Sequence, residues 1–373
     1  MRIAIVSGVV VNHDAISAAV ASQARLLESL PGVESVVVFA QHFDRPLSCD
    51  SCLAHESWGL INNPAFARCD IAIFHWGIHY DLFDALTLLA AGHGPTPVIH
   101  FHNCTPAELV DPSQRAMIEH SLAKFQHAIS LSIPMWTYSE FNRLTLIEWG
   151  VAPEHIAFVP FPIDAPAHAL THARATQRSE RFELLTVGRL VPAKGVHVLI
   201  EAIGQLDAPT QQSLHLRIAG SHLFSHTEYV DQLHARVGEL GLDDVVEFVE
   251  GPTDDDLWDL YASSSMVVSP SLHEGLCMPI IEGYAFGTPA LGTTAGNLPY
   301  LIVPPDEVVA ADDPAALAAA LQRAVQSWVA GSEYSVADAT ARRAVAAQYS
   351  SSSAGAALHH ALADLLVQSR RTD

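Results

Sequence analysis

The sequence predicts an α/β protein with two Rossmann-like, doubly wound domains that face each other across a cleft. The chain has 373 residues, which is too long for one ordinary core and suits two domains of about 150 to 200 residues. In both halves, short β-rich runs alternate with amphipathic stretches, a pattern typical of right-handed βαβ units around a parallel sheet. A segment without apolar periodicity separates the two series.

The first series supplies six runs in alternation: RIAIVSGVV, DAISAAVASQARLLESL, ESVVVFA, CDIAIFHW, DLFDALTLLAAG and TPVIHFHN. It continues with a helix around 113–128, a strand near WTYS, a helix from about 140 to 149 and the strand IAFVPF. Ser139 is expected to be the N-cap of the helix that follows it. We assign this series to an N-terminal domain over residues 1–165.

The second series begins at FELLTVG and repeats the same architecture without a detectable internal sequence repeat. It includes a helix over 227–240, a helix in DDDLWDLYASS and a helix that opens at Pro279, a residue well suited to a first helical turn. We assign residues 166–180 to a linker and 181–350 to a C-terminal domain. Ligands of doubly wound sheets bind at the carboxyl ends of the strands, so the cleft is the expected site.

Charge and composition exclude several classes of protein. The formal net charge is −22, with 49% hydrophobic and 16% charged residues. This composition is that of a globular protein and not of a disordered, collagen-like or coiled-coil chain. Phosphate backbones and anionic lipids would repel a chain this acidic, so we expect no nucleic-acid partner and at most weak peripheral membrane contact.

Further features of the sequence concern the cell compartment and metal binding. MRIAIVSGVVVNHD lacks the pattern of a signal peptide, and no stretch approaches the roughly 20 apolar residues of a spanning helix, so the expected compartment is the cytoplasm. The 21 histidines are scattered, and HWGIH at 75–79 lacks the glutamate of a zinc-protease motif. We therefore expect most of the histidines to be surface residues or hydrogen-bonded core residues.

The cysteines do not form a disulfide framework, because they are odd in number and irregularly spaced. Cys49 and Cys52 form a C-x-x-C with His42 and His55 nearby, which leaves a zinc site as an alternative. The surrounding DRPLSCDSCLAHES is typical of a loop, and we expect it to be one. The five cysteines are Cys49, Cys52, Cys69, Cys104 and Cys277.

The first chemical motif is VGRLVPAKG at 187–195, which places two cations at the carboxyl end of a predicted strand. Gly188 and Arg189 directly follow the strand, and Lys194 precedes a helix. Arginine offers a planar fork to paired phosphate oxygens and lysine adds a mobile point charge, so the pair suits a diphosphate and can stabilise a departing one. The alternative is a solvated loop with two unrelated charges.

The second motif is SPSLHEGLCMPIIEGYAFGTPAL at 269–291, in which Glu274 and Glu282 are separated by seven residues. Glu274 is expected in the loop before the helix, and Glu282 about one turn inside it. Between them lie amides that a helix start leaves free and that favour an anion. These amides belong to Gly275, Leu276, Cys277 and Met278.

Two carboxylates beside an anion site favour a ligand that carries hydroxyls as well as phosphates, and a nucleotide sugar carries both. Glu282 would bind the ribose diol, and Glu274 would bind hydroxyls of the sugar that is transferred. The alternative is that Glu282 is only a favourable first-turn charge and Glu274 a surface residue.

VGRLVPAKG followed by HEGLCMPIIEGYAFGTPAL resembles the family 4 retaining glycosyltransferases, whose signature is this E-x7-E. The resemblance extends over essentially the whole chain and is strongest over 183–300. It implies the GT-B fold, with Arg189 and Lys194 on the diphosphate, Glu282 on the ribose and Glu274 on the sugar. It also implies that residues 351–373 form a helix that crosses back to the N-terminal domain.

In the first domain, the same resemblance assigns residues that face the donor. His102 in HFHNCTP is the candidate for a strand-end histidine beside the donor sugar, with Asn103 as its neighbour; a core or capping histidine is the alternative. Many relatives have paired glycines after the first strand, whereas here Gly8 is followed by VVVNHDA, so Asn12 and His13 are expected to take part of that contact or to serve the acceptor.

The expected function is retaining transfer of a hexosyl group from a nucleoside diphosphate sugar to an acceptor hydroxyl in polysaccharide or glycolipid assembly. DAIS, HFHNCTP and YSEFN are similar to a bacterial subgroup with mannosyltransferase members, so GDP-mannose is the first expectation. UDP-glucose or UDP-N-acetylglucosamine is the second. Arg189, Lys194, Glu274 and His102 are the expected catalytic groups, without a cofactor or metal.

The sequence leaves three rival functions open: a nucleotide-sugar epimerase, a sugar phosphorylase and a silent sugar-binding protein. An epimerase would convert the donor without an acceptor, and a phosphorylase would require inorganic phosphate. A nicotinamide dehydrogenase is disfavoured, because no G-x-G-x-x-G occurs in the chain.

Overall fold

The computed structural model describes residues 1–12, 14–160, 162–173, 179–220, 227–331 and 336–372. The chain divides into two compact units. Unit 1 comprises Met1–Pro162 and Tyr349–Asp373, and unit 2 comprises Ile163–Gln348. Each unit contains one parallel sheet with helices packed on it, as the alternation of β-rich and amphipathic runs predicts.

Unit 1 has a seven-stranded parallel sheet in the order β3-β2-β1-β4-β5-β6-β7. Its strands are β1 Arg2–Val10, β2 Ser35–Phe43, β3 Asp50–Leu53, β4 Ile71–Trp76, β5 Thr96–Phe101, β6 Met135–Thr137 and β7 Ile156–Phe158. Its helices are α1 Ala15–Ser29, α2 Ser57–Ile61, α3 Pro64–Ala67, α4 Leu86–Ala90, α5 Arg115–Ser130, α6 Glu140–Glu148 and the last helix, α16 Ser351–Thr372.

Both faces of this sheet are buried, which explains why its central strands are continuous apolar runs. All six residues of β4 are buried. On one face, the rings of Trp76 and Phe125 pack with centroids 4.1 Å apart. On the other face, α16 contributes Leu358 and Leu362, both fully buried, to the same cluster as Ile5. The C-terminal helix is therefore part of the core of unit 1.

Unit 2 has a six-stranded parallel sheet in the order β10-β9-β8-β11-β12-β13. Its strands are β8 Phe182–Val187, β9 Leu214–Gly220, β10 Val246–Glu250, β11 Met266–Ser269, β12 Ala290–Thr293 and β13 Glu307–Val309. Its helices are α7 Ala167–Ala173, α8 Val196–Gly204, α9 Ala208–Gln212, α10 Thr227–Glu239, α11 Asp254–Ser263, α12 Met278–Phe286, α13 Leu298–Leu301, α14 Pro314–Val329 and α15 Val336–Ala347.

The predicted architecture of two doubly wound α/β domains is confirmed, and most predicted elements lie within two residues of their observed bounds. Ser139 is the N-cap of α6, and its side chain accepts a hydrogen bond from the amide of Asn142 at 3.2 Å. Helix α12 begins at Met278, one residue before the predicted start at Pro279. Capping and periodicity therefore located these helices well, because both are local signals.

Two segments predicted as loop or linker contain regular structure. The expectation that the segment around Cys49 and Cys52 is an ordinary loop was wrong, because Asp50–Leu53 forms β3 and pairs with β2. This edge strand buries little of its surface, so it lacks the apolar alternation by which strands are recognised. Helix α7 lies inside the predicted linker, where Ala169 is fully buried; residues 174–178 of that linker lie outside the described part of the chain.

Among the helices described, none is both long enough and apolar enough to cross a membrane.

A buried ion pair fixes α15 to the carboxyl end of α12. The guanidinium of Arg342 donates to Asp306 through Nη2 at 2.5 Å and through Nε at 2.9 Å, and the two side chains are 1% and 0% exposed. Arg342 also donates to the carbonyl of Gly287 just after α12, and the hydroxyl of Tyr284 donates to Asp306. The pair thus joins three segments that frame the helix carrying Glu282.

We predict that Arg342→Met lowers the free energy of unfolding by about 3–5 kcal/mol, because it leaves the Asp306 carboxylate buried without its partner. Equilibrium urea unfolding measures the change. Arg323→Met is the matched control, since Arg323 pairs with Glu307 in an ion pair whose side chains are 58% and 46% exposed and should cost less than about 1 kcal/mol. Equal losses in the two variants would contradict this role of the buried pair.

Candidate functional site

The first segment of the candidate site is the loop that follows β8. Its start is fixed by the amide of Gly188, which donates to the carbonyl of Ala219 at 3.0 Å. Arg189 comes next and is exposed. A short 3₁₀ turn over Pro192–Lys194 then delivers Lys194, whose side chain is 26% exposed, to the start of α8.

The second segment follows β11 and contacts the first directly. Nζ of Lys194 lies 2.7 Å from Oε1 of Glu274, and the same oxygen accepts a hydrogen bond from the hydroxyl of Ser271 at 2.8 Å. The amide of Leu272 donates to the carbonyl of Ala193, so the two backbones are joined as well. The structure therefore brings together two motifs that are 80 residues apart in the sequence.

Two glycines permit this approach. Gly195 has φ +66°, and a Cβ there would overlap the carbonyl oxygen of Pro270. Gly296 has φ +55°, and a Cβ there would overlap the backbone of Glu274. Both positions require a left-handed backbone and a bare α-carbon, which only glycine supplies at low cost. Glu274 is held in place from the other side as well, because its carbonyl accepts from the amide of Asn297 at 2.8 Å.

A small cavity of about 10 Å³ lies between the two segments in unit 2. Its polar lining includes Arg189, Lys194, Ser269 and Ser271, and its floor is formed by the ends of β8 and β9. The cavity is at the carboxyl ends of parallel strands, where doubly wound sheets bind their ligands.

The amino end of α12 follows Glu274. Cys277 precedes the helix with φ +72° and is 3% exposed, and burial raises the pKa of its thiol, so it is a neutral group. Met278 is the first helical residue, and the amides of this first turn have no partner within the helix. The carbonyl of Leu276 is used by the side chain of Asn297, which donates to it at 3.2 Å. Gly275 lies between Glu274 and this turn.

Glu282 lies inside α12 and is 9% exposed. Its Oε2 accepts a hydrogen bond of 2.5 Å from the hydroxyl of Tyr261, a fully buried residue of α11. Burial raises the pKa of Glu282 to about 7, and the bond from Tyr261 opposes that rise. Within the described chain no residue donates to its second oxygen, Oε1, which can therefore accept from a ligand.

The sequence-predicted residues of unit 1 have different surroundings. Gly8 lies within β1, where a Cβ would contact the Tyr80 side chain at 3.1 Å. Asn12 donates to the carbonyl of Asp44 at 2.8 Å, and His13 lies outside the described residues. Asn103 has φ +68°, and its amide donates to Asn142 at 2.8 Å and accepts from the Cys104 amide at 2.7 Å. These bonds give Asn103 a structural role. Its predicted contact with the nucleotide-sugar donor stays a prediction.

His102 belongs to a buried cluster of three histidines. Its Nε2 lies 2.8 Å from Nδ1 of His75, and Gln23 bridges Nε2 of His75 at 2.8 Å and Nδ1 of His100 at 3.1 Å. The cluster is the group of potential metal ligands found among the described residues, with one nitrogen of each ring within 4.8 Å of the others. Burial lowers the pKa of all three rings, so they are neutral. The expectation that no metal binds stays a prediction.

Several residues of these sites could not be found from sequence motifs. Ser271 and Tyr261 have no motif of their own, because their role comes from contacts made over distance in the chain. The histidine cluster had a usable signal: CDIAIFHW and TPVIHFHN each place a histidine near the carboxyl end of a predicted strand. These strands are neighbours, and His75 is in register with His100.

We predict that Glu282→Gln removes a pH dependence of stability. A folded-state pKa near 7, above the unfolded value near 4.5, means that the folded chain binds more protons between these values, so the native protein loses stability as pH rises through them. The glutamine variant should therefore gain stability relative to wild type from pH 5 to pH 8, as measured by urea unfolding. Glu228→Gln, at an exposed position of α10, should show no such gain. Parallel pH curves for wild type and Glu282→Gln would contradict the raised pKa.

The comparison with protein families gives a match that lies within unit 2. The family described as glycosyl transferases group 1 matches residues 170–343. The MMP alpha-(1->4)-mannosyltransferase of Mycolicibacterium hassiacum is 30% identical over 190 residues, which are 50% of this chain and 44% of that protein. The mannosylfructose-phosphate synthase of Agrobacterium fabrum is 33% identical over 159 residues, 40% of this chain and 35% of that protein. The chain thus spans about half, or less, of the length of the curated relatives it matches.

The comparison with solved structures covers nearly the whole chain. Anabaena HepE, solved in complex with UDP, matches with a TM-score of 0.73 and 18% identity over 98% of this chain and 100% of that chain. Sucrose-phosphate synthase from Thermosynechococcus elongatus matches with a TM-score of 0.75 and 16% identity over 99% of this chain and 100% of that chain. At these identities the likeness concerns the fold, which is GT-B as predicted. Residues 170–343, which match the glycosyl transferases group 1 family, contain Arg189, Lys194, Glu274 and Glu282.

Proposed function

We propose that this protein is a retaining glycosyltransferase of family 4 that moves a hexosyl group from a nucleoside diphosphate sugar to an acceptor hydroxyl. The observation that carries the proposal is the contact between Lys194 and Glu274 at 2.7 Å beside the cavity. At this place Lys194, a cation that can bind phosphate, lies next to Glu274, a carboxylate that can bind hydroxyls. A sugar joined to a diphosphate carries both phosphates and hydroxyls, which these two groups can bind.

The diphosphate is bound by Arg189, Lys194 and the first amides of α12. Arg189 lines the cavity and is exposed, so its guanidinium can turn to the phosphates without first leaving a buried partner. Lys194 keeps two ammonium protons for the phosphates while the third is held by Glu274. The helix amides add a preorganised partial positive charge.

The two glutamates bind the hydroxyls. Oε1 of Glu274 is occupied by Lys194 and Ser271, and among the described residues none donates to Oε2. Glu282 has the same arrangement, with one oxygen held by Tyr261 and the other open. Each carboxylate is thus oriented by protein donors and retains an acceptor, Glu274 for the transferred sugar and Glu282 for the ribose.

The proposed reaction breaks the bond between the anomeric carbon and the diphosphate oxygen and forms a bond from that carbon to the acceptor oxygen on the same face. The acceptor hydroxyl proton passes to the departing diphosphate, so no protein nucleophile is required. Arg189 and Lys194 stabilise the charge that develops on the leaving group. Because these cations and the helix amides supply that stabilisation, we propose that no divalent metal takes part.

The donor we propose is GDP-mannose, and the acceptor is a growing polysaccharide or glycolipid. The support is that two of the relatives in sequence are named for mannosyl products or transfer. UDP-glucose is the second candidate, and the support for it is that Anabaena HepE was solved with UDP and with UDP-glucose.

We predict that GDP or UDP raises the unfolding free energy of this protein by about 2.7 kcal/mol at 100 times its dissociation constant, and that Arg189→Ala abolishes the increase. A thermal-shift panel of nucleoside diphosphates measures both and ranks the two bases. Arg323→Ala is the control, because it removes an exposed arginine that is distant in the sequence and already paired with Glu307. The matching nucleotide sugar with an acceptor mixture should then give transfer in wild type and in the control only.

Two results would contradict the proposal. If Arg189→Ala keeps both the thermal shift and the transfer, the diphosphate site is wrong. If the donor is converted without an acceptor, or only with inorganic phosphate, the protein is an epimerase or a phosphorylase. Proton NMR of the first product reads the anomeric configuration, which should be that of the donor.

A further inference from the structure

The buried histidine cluster of unit 1 forms a continuous hydrogen-bonded chain that the proposed reaction has not used. It runs from Nε2 of His102 to Nδ1 of His75, from Nε2 of His75 to Oε1 of Gln23, and from Nε2 of Gln23 to Nδ1 of His100. His75, His100 and Gln23 are 1%, 0% and 3% exposed, and His102 is 9% exposed. This hydrogen-bonded chain therefore begins at His102, near the surface, and ends at His100, in the core.

Each ring of this chain carries one N–H and one lone pair. Burial in an apolar sheet disfavours the charged form and lowers the pKa of His75, His100 and His102. A neutral imidazole must donate through one nitrogen and accept through the other. The proton position on one ring therefore decides the proton position on the next.

The orientation of the Gln23 amide sets the direction of the chain. Its carbonyl oxygen can only accept, so His75 must carry its proton on Nε2 and present a lone pair at Nδ1. His102 must then donate from Nε2 to that lone pair. At the other end, the Gln23 amide nitrogen donates to Nδ1 of His100, which places the His100 proton on Nε2.

The opposite direction would require the Gln23 amide to turn over, since its oxygen and nitrogen are nearly equal in shape. Nε2 of His100 would then carry a lone pair. This buried nitrogen has no hydrogen-bond partner among the described residues, so it does not distinguish the two directions. The first direction is the one that follows from the orientation of the Gln23 amide in the structure.

The free end of the chain is Nδ1 of His102. No described residue hydrogen-bonds to it, and it is not among the fully buried polar atoms that lack a partner, so it is accessible to solvent or a ligand. The backbone of His102 is fixed on both sides, because its amide donates to the carbonyl of Trp76 at 2.8 Å and its carbonyl accepts from the hydroxyl of Tyr138 at 2.9 Å. The contact from Nε2 to His75 then orients the ring.

We propose that Gln23, His75 and His100 are positioning residues that hold His102 in the tautomer with a lone pair on Nδ1, so that this nitrogen can accept a hydrogen bond from a ligand hydroxyl. That this hydroxyl belongs to a substrate of the transfer reaction rests on the proposed function. A lone pair at this position favours a hydroxyl and repels a phosphate or carboxylate oxygen, so the chain selects the class of group that His102 can bind.

The same three histidines have the composition of a metal site, but their spacing fits the hydrogen-bonded chain better. Two ligands of a tetrahedral zinc ion, each about 2.0–2.1 Å from it, lie about 3.3 Å apart. The distance from Nε2 of His102 to Nδ1 of His75 is 2.8 Å, which is that of a hydrogen bond. Gln23 also occupies one nitrogen each of His75 and His100.

Nitrogen NMR of the full chain, labelled with ¹⁵N in histidine, tests the proposal without any substrate. In wild type, His75, His100 and His102 should all be neutral with the proton on Nε2, identified by the loss of each signal in the corresponding His→Gln variant. The reversed chain would place all three protons on Nδ1, and that result would overturn the proposal. One equivalent of Zn²⁺ should leave these signals unchanged; a joint shift of all three would also overturn it.

Gln23→Leu then tests the positioning role. It should leave His102 exchanging between both tautomers and lower kcat/KM about twofold, because about half of the molecules then carry the other tautomer. His79→Gln is the control, because His79 lies in the same HWGIH segment but bonds to Asp84 instead, and it should change neither the His102 signal nor kcat/KM. An unchanged His102 tautomer in Gln23→Leu would contradict the role of Gln23. If the tautomers are as proposed but no sugar is transferred, the proposed function fails and the hydrogen-bonded chain stands.

Discussion

The ion pair between Lys194 and Glu274 is the interaction on which the candidate site depends. Its side chains are 26% and 8% exposed, and partial burial makes either charge costly without the other. The pair exists only because two loops can touch, and they touch because Gly195 and Gly296 leave room for backbone where any side chain would intrude. The position of the carboxylate, and with it the start of α12, follows from that contact.

The pair also orients both groups before a ligand binds. In the free protein each charge satisfies the other, which stabilises the loops before any ligand binds. A diphosphate would draw on the remaining donors of Lys194, and sugar hydroxyls would donate to the remaining oxygen of Glu274. Because both groups are already oriented, little ordering is left for the moment of binding, which is the condition for electrostatic stabilisation of a developing charge.

The parts of the fold and the site that follow local rules could be predicted from the sequence. Arg189 and Lys194 lie in the loop after a recognisable strand, and Glu282 lies about one turn inside a helix with a proline in its first turn, so local patterns were enough to predict their positions in the fold. The strand β3 and the helix α7 were missed because each is short and carries little apolar periodicity. The Gln23–His75–His100 chain was missed because its members meet only through strand order and through a helix packed across the sheet.

The two units present different chemical groups to a ligand. Unit 2 presents fixed charges and helix amides, which suit anions and hydroxyls together. Unit 1 presents a neutral, buried chain of hydrogen bonds with one open acceptor. Arg342 and Asp306 show that unit 2 also uses a charge pair for a purely structural purpose, since both side chains are enclosed and distant from solvent. A charged pair in this protein is therefore not by itself a sign of function. A charged side chain beside a cavity that can still form hydrogen bonds to a ligand is a better indication.

A crystal structure of the chain with its nucleoside diphosphate bound would test the central claim most directly. We expect both phosphates within hydrogen-bond distance of Arg189 and Lys194 at the amino end of α12, with the ribose on Oε1 of Glu282. A nucleotide bound elsewhere, with the pair of Lys194 and Glu274 unchanged and no phosphate beside it, would contradict that claim.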